Sequence, residues 1–507
     1  MALGKREKRI VVDELYDAEN DRLKDDALKS DFFLFHERTP RRDDFDYASR
    51  LTLLLTTECN AGCLYCFADP QGKGKIMSFE TAKEAIDSSF RKMRSPIGIL
   101  EVVFFGAGEP TIAMETIKKT LDYLSDSYPK RYSTLLMTNG MFNESAKETL
   151  LKMDDLCVSC DGPAEFQNAS RPFTGGAPSS LIVEQNVRSL VKKKKISIKS
   201  TITEISESRQ EEILEYIWRQ GVDFLGISPL ALRDRGERNG LSEIDNLNFT
   251  DSLLMAIELA ETFGMRISTE YLPLEKRYSF CGFDGPSVAV TPDGHLSSCW
   301  ESCEVGRGSD FIYGELKGGD EITYADSLRK IKSRTVENIP DCQECFLKWT
   351  CAGGCVANHY KVTNDLLKTD EKRCDAIRKT VREYLLYVSR KESGVWSPKI
   401  TRQDDGQYLS LYFSKYKLND GEQWDDNPIV RFNEKTDFFL LRERMNAHRE
   451  SRGYEPTFFV FDLSNEKVDN REMLRFGKEM AEERFHIALF YSEEKVELLR
   501  YEGDVII

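Results

Sequence analysis

The sequence predicts an α/β chain: a parallel sheet with helical crossovers, then a cysteine-rich segment, then a small second α/β domain. Three observations carry this. Between residues 48 and 265, six short apolar runs alternate with stretches of helical spacing, the pattern of parallel strands joined by right-handed crossovers. Eight of the 13 cysteines fall in residues 281–374, where that alternation is lost. Residues 396–507 contain no cysteine and resume a strand and helix pattern.

Residues 1–47 are charge-rich with one apolar patch, Phe32 to Phe35, and read as a lead-in with some helix rather than a domain. Leu51 to Thr56 reads as a buried strand. Ser78 to Met93 reads as a helix, with Ser78 as N-cap and Glu80 in the first turn. Strands follow at Leu100–Phe105, Ser133–Thr138, Leu156–Ser159, Ile196–Thr203 and Phe224–Ser228, and helices near 113–127, 143–152, 180–193, 208–220 and 249–264. A barrel or partial barrel fits six such strands, and chemistry on one sits at the carboxyl ends of its strands. Residues 267–395 read as loop-rich, with too little apolar surface for their length unless metal clusters organise them. In the last segment, Tyr408–Phe413, Thr457–Asp462 and Phe485–Tyr491 read as strands and Asn470–Glu483 as a helix. The Lys192–Lys195 run lies where a helix ends before a strand, and reads as solvated surface with favourable helix-end charge.

Composition narrows the function classes. A chain of 507 residues has room for two to four domains at about 100–200 residues each. At 40% hydrophobic and 31% charged, it can build cores and is not globally disordered. The balance of 71 basic against 86 acidic side chains, net −15, argues against a nucleic-acid binder, which needs positive charge. Thirteen cysteines are too dilute for a disulfide scaffold. The N-terminus lacks the apolar stretch of a secretory signal, and no run reaches the roughly 18 apolar residues of a membrane helix. The expectation is a cytoplasmic, reduced protein without membrane or nucleic-acid partners, in which clustered cysteines are metal ligands or catalytic thiols.

Cys59, Cys63 and Cys66 lie in a Cys-x3-Cys-x2-Cys loop directly after the first strand, with Tyr65 before the last cysteine. Three thiolates on one loop can hold three irons of a 4Fe–4S cluster and leave the fourth iron open. The alternative is zinc, but structural zinc takes four closed ligands, and no histidine nearby supplies the fourth. Cys157 and Cys160 lie on or beside a strand, where residues three apart face opposite ways, so packing is their expected role.

At these residues the chain resembles the radical S-adenosylmethionine (radical SAM) superfamily, whose cluster loop follows the first strand of a partial (β/α)6 TIM-like barrel. Gly106-Ala107-Gly108-Glu109-Pro110 is similar to the family's Gly-Gly-Glu-Pro segment, with Ala107 between the two glycines. Glycines let a ligand approach the backbone, and Glu109 offers a carboxylate to an ammonium group. In the family this segment binds the methionine amino group. Thr138-Asn139-Gly140 follows the third strand. Ser159-Cys160-Asp161-Gly162-Pro163 and then Arg171 resemble a stretch whose polar groups hold the carboxylate and ribose of SAM. The resemblance thus implies Gly106, Gly108, Glu109, Ser159 and Arg171 as SAM contacts.

The later cysteines, Cys281, Cys299, Cys342, Cys345, Cys351, Cys355 and Cys374, are similar in spacing to the SPASM extension of this superfamily, which carries two auxiliary 4Fe–4S clusters. That resemblance implies Cys342, Cys345, Cys351 and Cys374 on one cluster and Cys281, Cys299 and Cys355 on the other. The second set has three matched ligands; either Cys303 is the fourth or the iron stays open. The implied division is a lead-in (1–47), a radical SAM barrel (48–265), a SPASM domain (266–395) and a C-terminal domain (396–507).

By the same resemblance the chain cleaves SAM reductively to a 5′-deoxyadenosyl radical, takes an electron from a donor such as flavodoxin or ferredoxin, and oxidises its target through the auxiliary clusters. SPASM proteins mostly act on peptides or proteins. In sulfatase-maturating members an Asp follows the cysteine matching Cys299; here Trp300 and Glu301 stand there. That departure points to maturases that cross-link ribosomally made peptides through thioether or carbon–carbon bonds. Glu301 reads as a solvated carboxylate more readily than as a base. The alternatives are a sulfatase-type or small-molecule radical SAM enzyme, or a non-catalytic iron–sulfur or zinc protein.

Overall fold

A computed structural model describes residues 50–69, 74–93, 98–275, 277, 279–285, 287–301 and 309–392, with short strands at 16–17, 22–23, 429–431, 458–462, 486–492, 495–499, 501–502 and 505–506. The chain divides into two compact units: residues 1–17, 22–257 and 265–386 form one, and 18–21, 258–264 and 387–507 the other.

The first unit is built on an eleven-stranded sheet. Its parallel strands are β1 (Arg50–Leu54), β2 (Leu100–Phe105), β3 (Tyr132–Thr138), β4 (Asp155–Ser159), β5 (Ser197–Ile202), β6 (Phe224–Pro229) and β7 (Arg266–Thr269), paired in that order. Helices α1 (Phe79–Lys92), α2 (Met114–Ser127), α3 (Glu144–Leu150), α4 (Ala164–Ser170), α5 (Ser180–Val191), α6 (Gln210–Arg219), α7 (Asp234–Arg238) and α8 (Asn246–Phe263) fall between them. The strands at the sheet centre are apolar because both faces are covered: Leu51, Leu53, Val102 and Phe104 on one face and Thr52, Leu54 and Val103 on the other are all nearly inaccessible. On β5 only alternate residues, Ile198, Ser200 and Ile202, are buried. Helix α1 starts where Ser78 caps it, its hydroxyl accepting from the Thr81 amide at 3.0 Å, and Ala82, Ala85, Ile86 and Phe90 form its buried face. The lysine run after α5 is surface: Lys195 pairs with Asp223 at 2.9 Å and is largely exposed.

Two features differ from the sequence reading. β7 adds a seventh parallel strand beyond the expected six. Residues 267–395, read as loop-rich, supply four more strands to the same sheet. β8 (Ser287–Val290) pairs in parallel with β1, and β9 (His295–Ser297), β10 (Ile312–Lys317) and β11 (Asp320–Thr323) continue as an antiparallel meander. Runs of three to six residues are too short to show a period of two. Because β8, not β7, lies beside β1, the parallel strands stay open as a partial barrel. Beyond the meander come α9 (Ala325–Ser333), α10 (Lys348–Cys351), α11 (Val356–Thr363) and α12 (Glu371–Glu392). A small core of Val336, Ile339 and Cys342 with Trp349 packs among them.

The second unit holds a four-stranded sheet of Ile429–Arg431, Phe458–Asp462, His486–Ser492 and Lys495–Leu499, the last pair antiparallel and the others parallel. The strands expected at 457–462 and 485–491 are present; those expected at Tyr408–Phe413 and the helix at Asn470–Glu483 lie outside the described residues. Among the described residues, no helix is long and apolar enough to cross a membrane.

Candidate active site

The Cys59–Cys66 loop leaves the carboxyl end of β1 and is held by backbone bonds from two sides. Gly62 and Leu64 amides donate to the Pro172 and Ser170 carbonyls at 2.7 and 2.9 Å, and Thr174 N–H donates to Asn60 at 2.9 Å. From β2, Gly108 and Glu109 amides donate to the Thr56 and Glu58 carbonyls at 2.9 and 2.8 Å. This changes the reason for the glycines. A Cβ on Gly108 would sit 1.8 Å from the Glu58 carbonyl oxygen, so the backbone that approaches is the cysteine loop's own.

Glu109 is buried at the end of β2. Its Oε1 accepts from the Thr111 amide and hydroxyl at 3.1 and 2.8 Å and from the Thr138 hydroxyl at 2.6 Å; Oε2 accepts only from the Asn139 amide, at 2.7 Å. Burial pushes its carboxyl pKa up, opposed by those four donors. Asn139 in turn donates through Nδ2 to Asn60 Oδ1 at 2.8 Å, so the segment after β3 also braces the cysteine loop.

A third brace comes from β4. Tyr65 donates its hydroxyl hydrogen to Asp161 Oδ2 at 2.6 Å and accepts from Arg171 Nη1 at 2.7 Å; Asp161 Oδ1 accepts from the Thr201 amide at 3.0 Å. Asp161 and Arg171 compensate each other's charge at 3.9 Å. The Arg171 Nε hydrogen is buried and has no partner, and Ser159 makes no side-chain hydrogen bond among the described residues. Sequence spacing could not reveal this network, since its members are up to 106 positions apart. Tyr65→Phe removes the hydroxyl that joins the buried pair. The expected cost is about 1–3 kcal/mol, read as a Tm lower by several degrees with the fold otherwise retained.

The cysteines come together in three sets. Cys59 lies near Cys63 and Cys66. Cys351 lies near Cys374, Cys342 and Cys345. Cys299 lies near Cys355 and Cys281. Burial pushes Cys59 up to about 12 and Cys63 up to about 11, so as free thiols they stay protonated; a coordinated metal deprotonates such thiols outright. Among the described residues no three of His, Cys, Asp and Glu converge tightly enough to hold one metal ion. Structural zinc needs four ligands about 2.0–2.3 Å from a single point, whereas the thiolates of a four-iron cluster bind different irons and stand farther apart. Cys160 is buried and Cys157 is half-buried. Cys303 lies outside the described residues.

Glu301 departs from its expected solvated state. Its carboxylate accepts from Arg233 Nη2 at 3.1 Å, and the same nitrogen donates to Asn358 Oδ1 at 2.6 Å. Burial pushes its pKa up while Arg233 opposes the shift. Trp300 lies against Phe105, the last residue of β2, with ring centroids 5.2 Å apart.

No family model matches the chain. It is 22% identical over 382 residues, 69% of this chain and 76% of the relative, to the radical SAM cyclopropyl synthase TigE of Paramaledivibacter caminithermalis. It is 28% identical over 210 residues to an uncharacterised protein of Methanocaldococcus jannaschii, covering 40% of this chain and 70% of that one. Among solved structures, anSMEcpe with bound AdoMet matches 68% of this chain and 95% of its own at a TM-score of 0.54 and 19% identity, a likeness of fold. The same protein has been solved with AdoMet and the Cp18Cys peptide together.

Proposed function

We propose that this chain, a radical SAM enzyme related to TigE and to the SPASM-type maturases, oxidises a side chain of a peptide. The observation that carries the reading is the triple bracing of the Cys59–Cys66 loop by the ends of β2, β3 and β4, with hydrogen-bonding capacity left over. Among the described residues Glu109 Oε2 accepts from a single donor, the buried Arg171 Nε hydrogen has no acceptor, and the Ser159 hydroxyl makes no hydrogen bond. Those residues fit an amino acid moiety with its ribose. Cys59, Cys63 and Cys66 would hold the cluster that binds it. When bound, a reduced 4Fe–4S cluster and SAM supply a 5′-deoxyadenosyl radical that abstracts hydrogen from an unreactive C–H bond.

The residues of the chain do the positioning. Glu109 orients the ammonium group, its own carboxylate fixed by four donors. Tyr65, Asp161 and Arg171 keep the cysteine loop in register with β4 and β5. The sets Cys342, Cys345, Cys351, Cys374 and Cys281, Cys299, Cys355 would hold two auxiliary clusters that accept the electron leaving the substrate, and a flavodoxin- or ferredoxin-class donor would reduce the first. A peptide substrate is supported by anSMEcpe, which shares the fold and was solved with peptide bound. Trp300 in place of a carboxylate supports cross-linking over sulfatase maturation.

The test is anaerobic reconstitution with iron and sulfide, then incubation with SAM, reductant and the short peptides encoded beside the gene. The reading expects about twelve irons per chain, 5′-deoxyadenosine, and a peptide lighter by a pair of hydrogens. 5′-Deoxyadenosine with no peptide mass change in any candidate would favour a small-molecule substrate. Glu109→Gln tests the ammonium site. Replacing the carboxylate removes a charge-assisted bond of about 1.5–3 kcal/mol, so Kd for SAM should rise roughly 10- to 100-fold at unchanged iron content, measured by calorimetry.

A further inference from the structure

Arg334 ends α9 and is buried, 7% exposed. Its guanidinium donates only to backbone carbonyls: Nη2 to Gly353 at 2.9 Å, and Nη1 to Leu366 and, at 3.4 Å, to Lys368. Among the described residues no carboxylate pairs with it. A buried cation without a counter-charge is unfavourable by several kcal/mol, so the protein is expected to supply an anion.

The three carbonyls indicate where that anion lies. Gly353 sits between Cys351 and Cys355, which the SPASM resemblance implies for different clusters. Leu366 and Lys368 lead into Thr369, whose amide donates to Asp341 beside Cys342 at 3.0 Å, and on to Cys374. The Val336, Ile339 and Cys342 core lies next along the chain, and a Cβ on Gly353 would strike Ile339. Arg334 therefore fastens the segments that carry both auxiliary cysteine sets. Cys342, Cys355, Cys281 and Cys351, members of both sets, lie near it.

We propose that Arg334 is a shared positioning residue of the two auxiliary sites, a fixed positive charge between them that raises the reduction potential of both clusters. The inference rests on the auxiliary-cluster reading above. A cluster with its thiolate ligands is anionic, and each added electron increases that charge; a buried cation beside it favours the reduced form, since net charge is one of the determinants of cluster potential. Both clusters would then be poised to accept an electron from a substrate radical, and one guanidinium would shift both potentials in the same direction.

The experiment is a redox titration of the reconstituted full chain followed by electron paramagnetic resonance, comparing wild type with Arg334→Gln, Arg334→Lys and the exposed control Arg329→Gln from the same helix. Arg334→Gln should shift both auxiliary midpoints to lower potential and leave the midpoint of the Cys59, Cys63, Cys66 cluster in place. Arg334→Lys should stay near wild type, and Arg329→Gln should match it. Full iron with unmoved auxiliary midpoints in Arg334→Gln overturns the proposal. If that variant loses auxiliary iron, Arg334→Lys decides: wild-type midpoints support the charge, and lowered ones overturn it. A wild-type chain that binds only about four irons overturns the auxiliary-cluster reading itself.

Discussion

Cys63→Ala should, on the cluster reading proposed above, abolish SAM cleavage and lower the iron content from about twelve to about eight per chain, leaving the auxiliary signals in place. Cys63 is buried at the centre of the braced loop, between Gly62 and Leu64, whose amides are tied to Pro172 and Ser170 at the end of α4. Its loss would leave two thiols for a cluster that lacks a fourth protein ligand. Neighbouring Cys66 would have no redundancy to offer, because each thiolate would bind its own iron. The control is Cys157→Ala. Cys157 is a half-buried thiol on the same sheet, but it faces Ser197 and Lys199 rather than another cysteine, so its replacement should cost only packing, about 1 kcal/mol, with full iron and activity. Iron analysis, 5′-deoxyadenosine formation and a melting curve on the two variants separate a ligand from a filler. Equal iron loss in both would show that the loop assignment is wrong.

How much of this was legible in the sequence depends on the length scale of the signal. The strand at Leu100–Phe105 and the helix capped by Ser78 are where periodicity and capping place them, because each is a local pattern whose whole cause lies within a few residues. The clustering of the cysteines was legible as short spacings of one residue type, and the structure brings Cys351 near Cys374, Cys342 and Cys345, and Cys299 near Cys355 and Cys281. β8 to β11 were not legible, being short strands whose register comes from the edge of β1 and from one another. Gly108 was recognised as a place of close approach, but the sequence could not say what approaches; the cysteine loop itself does. The charged network was hidden for a different reason. Asp161 with Arg171 and Tyr65, Glu301 with Arg233, and Arg334 with its carbonyls are single polar residues brought together by the fold. In a linear sequence, Asp161 and Arg171 read as ligand contacts rather than as a brace for the cysteine loop, and Arg233 and Arg334 resemble surface charges. Glu301 was read that way, and only burial and Arg233 distinguish it.

The largest effect on stability is expected at a pair of this kind. Glu270 lies just beyond β7, and Arg373 stands beside Cys374 at the start of α12; their side chains are 18% and 8% exposed, with Nη2 2.6 Å from Oε1. The approach is off the hydrogen-bond line, so the contact is mainly one of charge. The guanidinium also lies over the Tyr271 ring, 5.2 Å from its centroid. Arg373→Met would keep much of the packing and leave Glu270 buried and uncompensated, at a cost of about 3–5 kcal/mol and a Tm lower by on the order of 10 °C. A second consequence follows from where Glu270 sits. Its carboxylate faces Cys355 and Glu301, so without Arg373 it would add unbalanced negative charge beside the Cys281, Cys299, Cys355 set. On the auxiliary-cluster reading that charge would oppose an anionic cluster, and iron should be lost there before the Cys59 loop is affected. Glu270→Gln together with Arg373→Met removes both charges and should recover most of the melting temperature and the iron, because neither ion is then left buried alone. If the double variant is no more stable than Arg373→Met, the arginine acts through its stacking on Tyr271, and the charge balance at this set is not what holds α12 against β7.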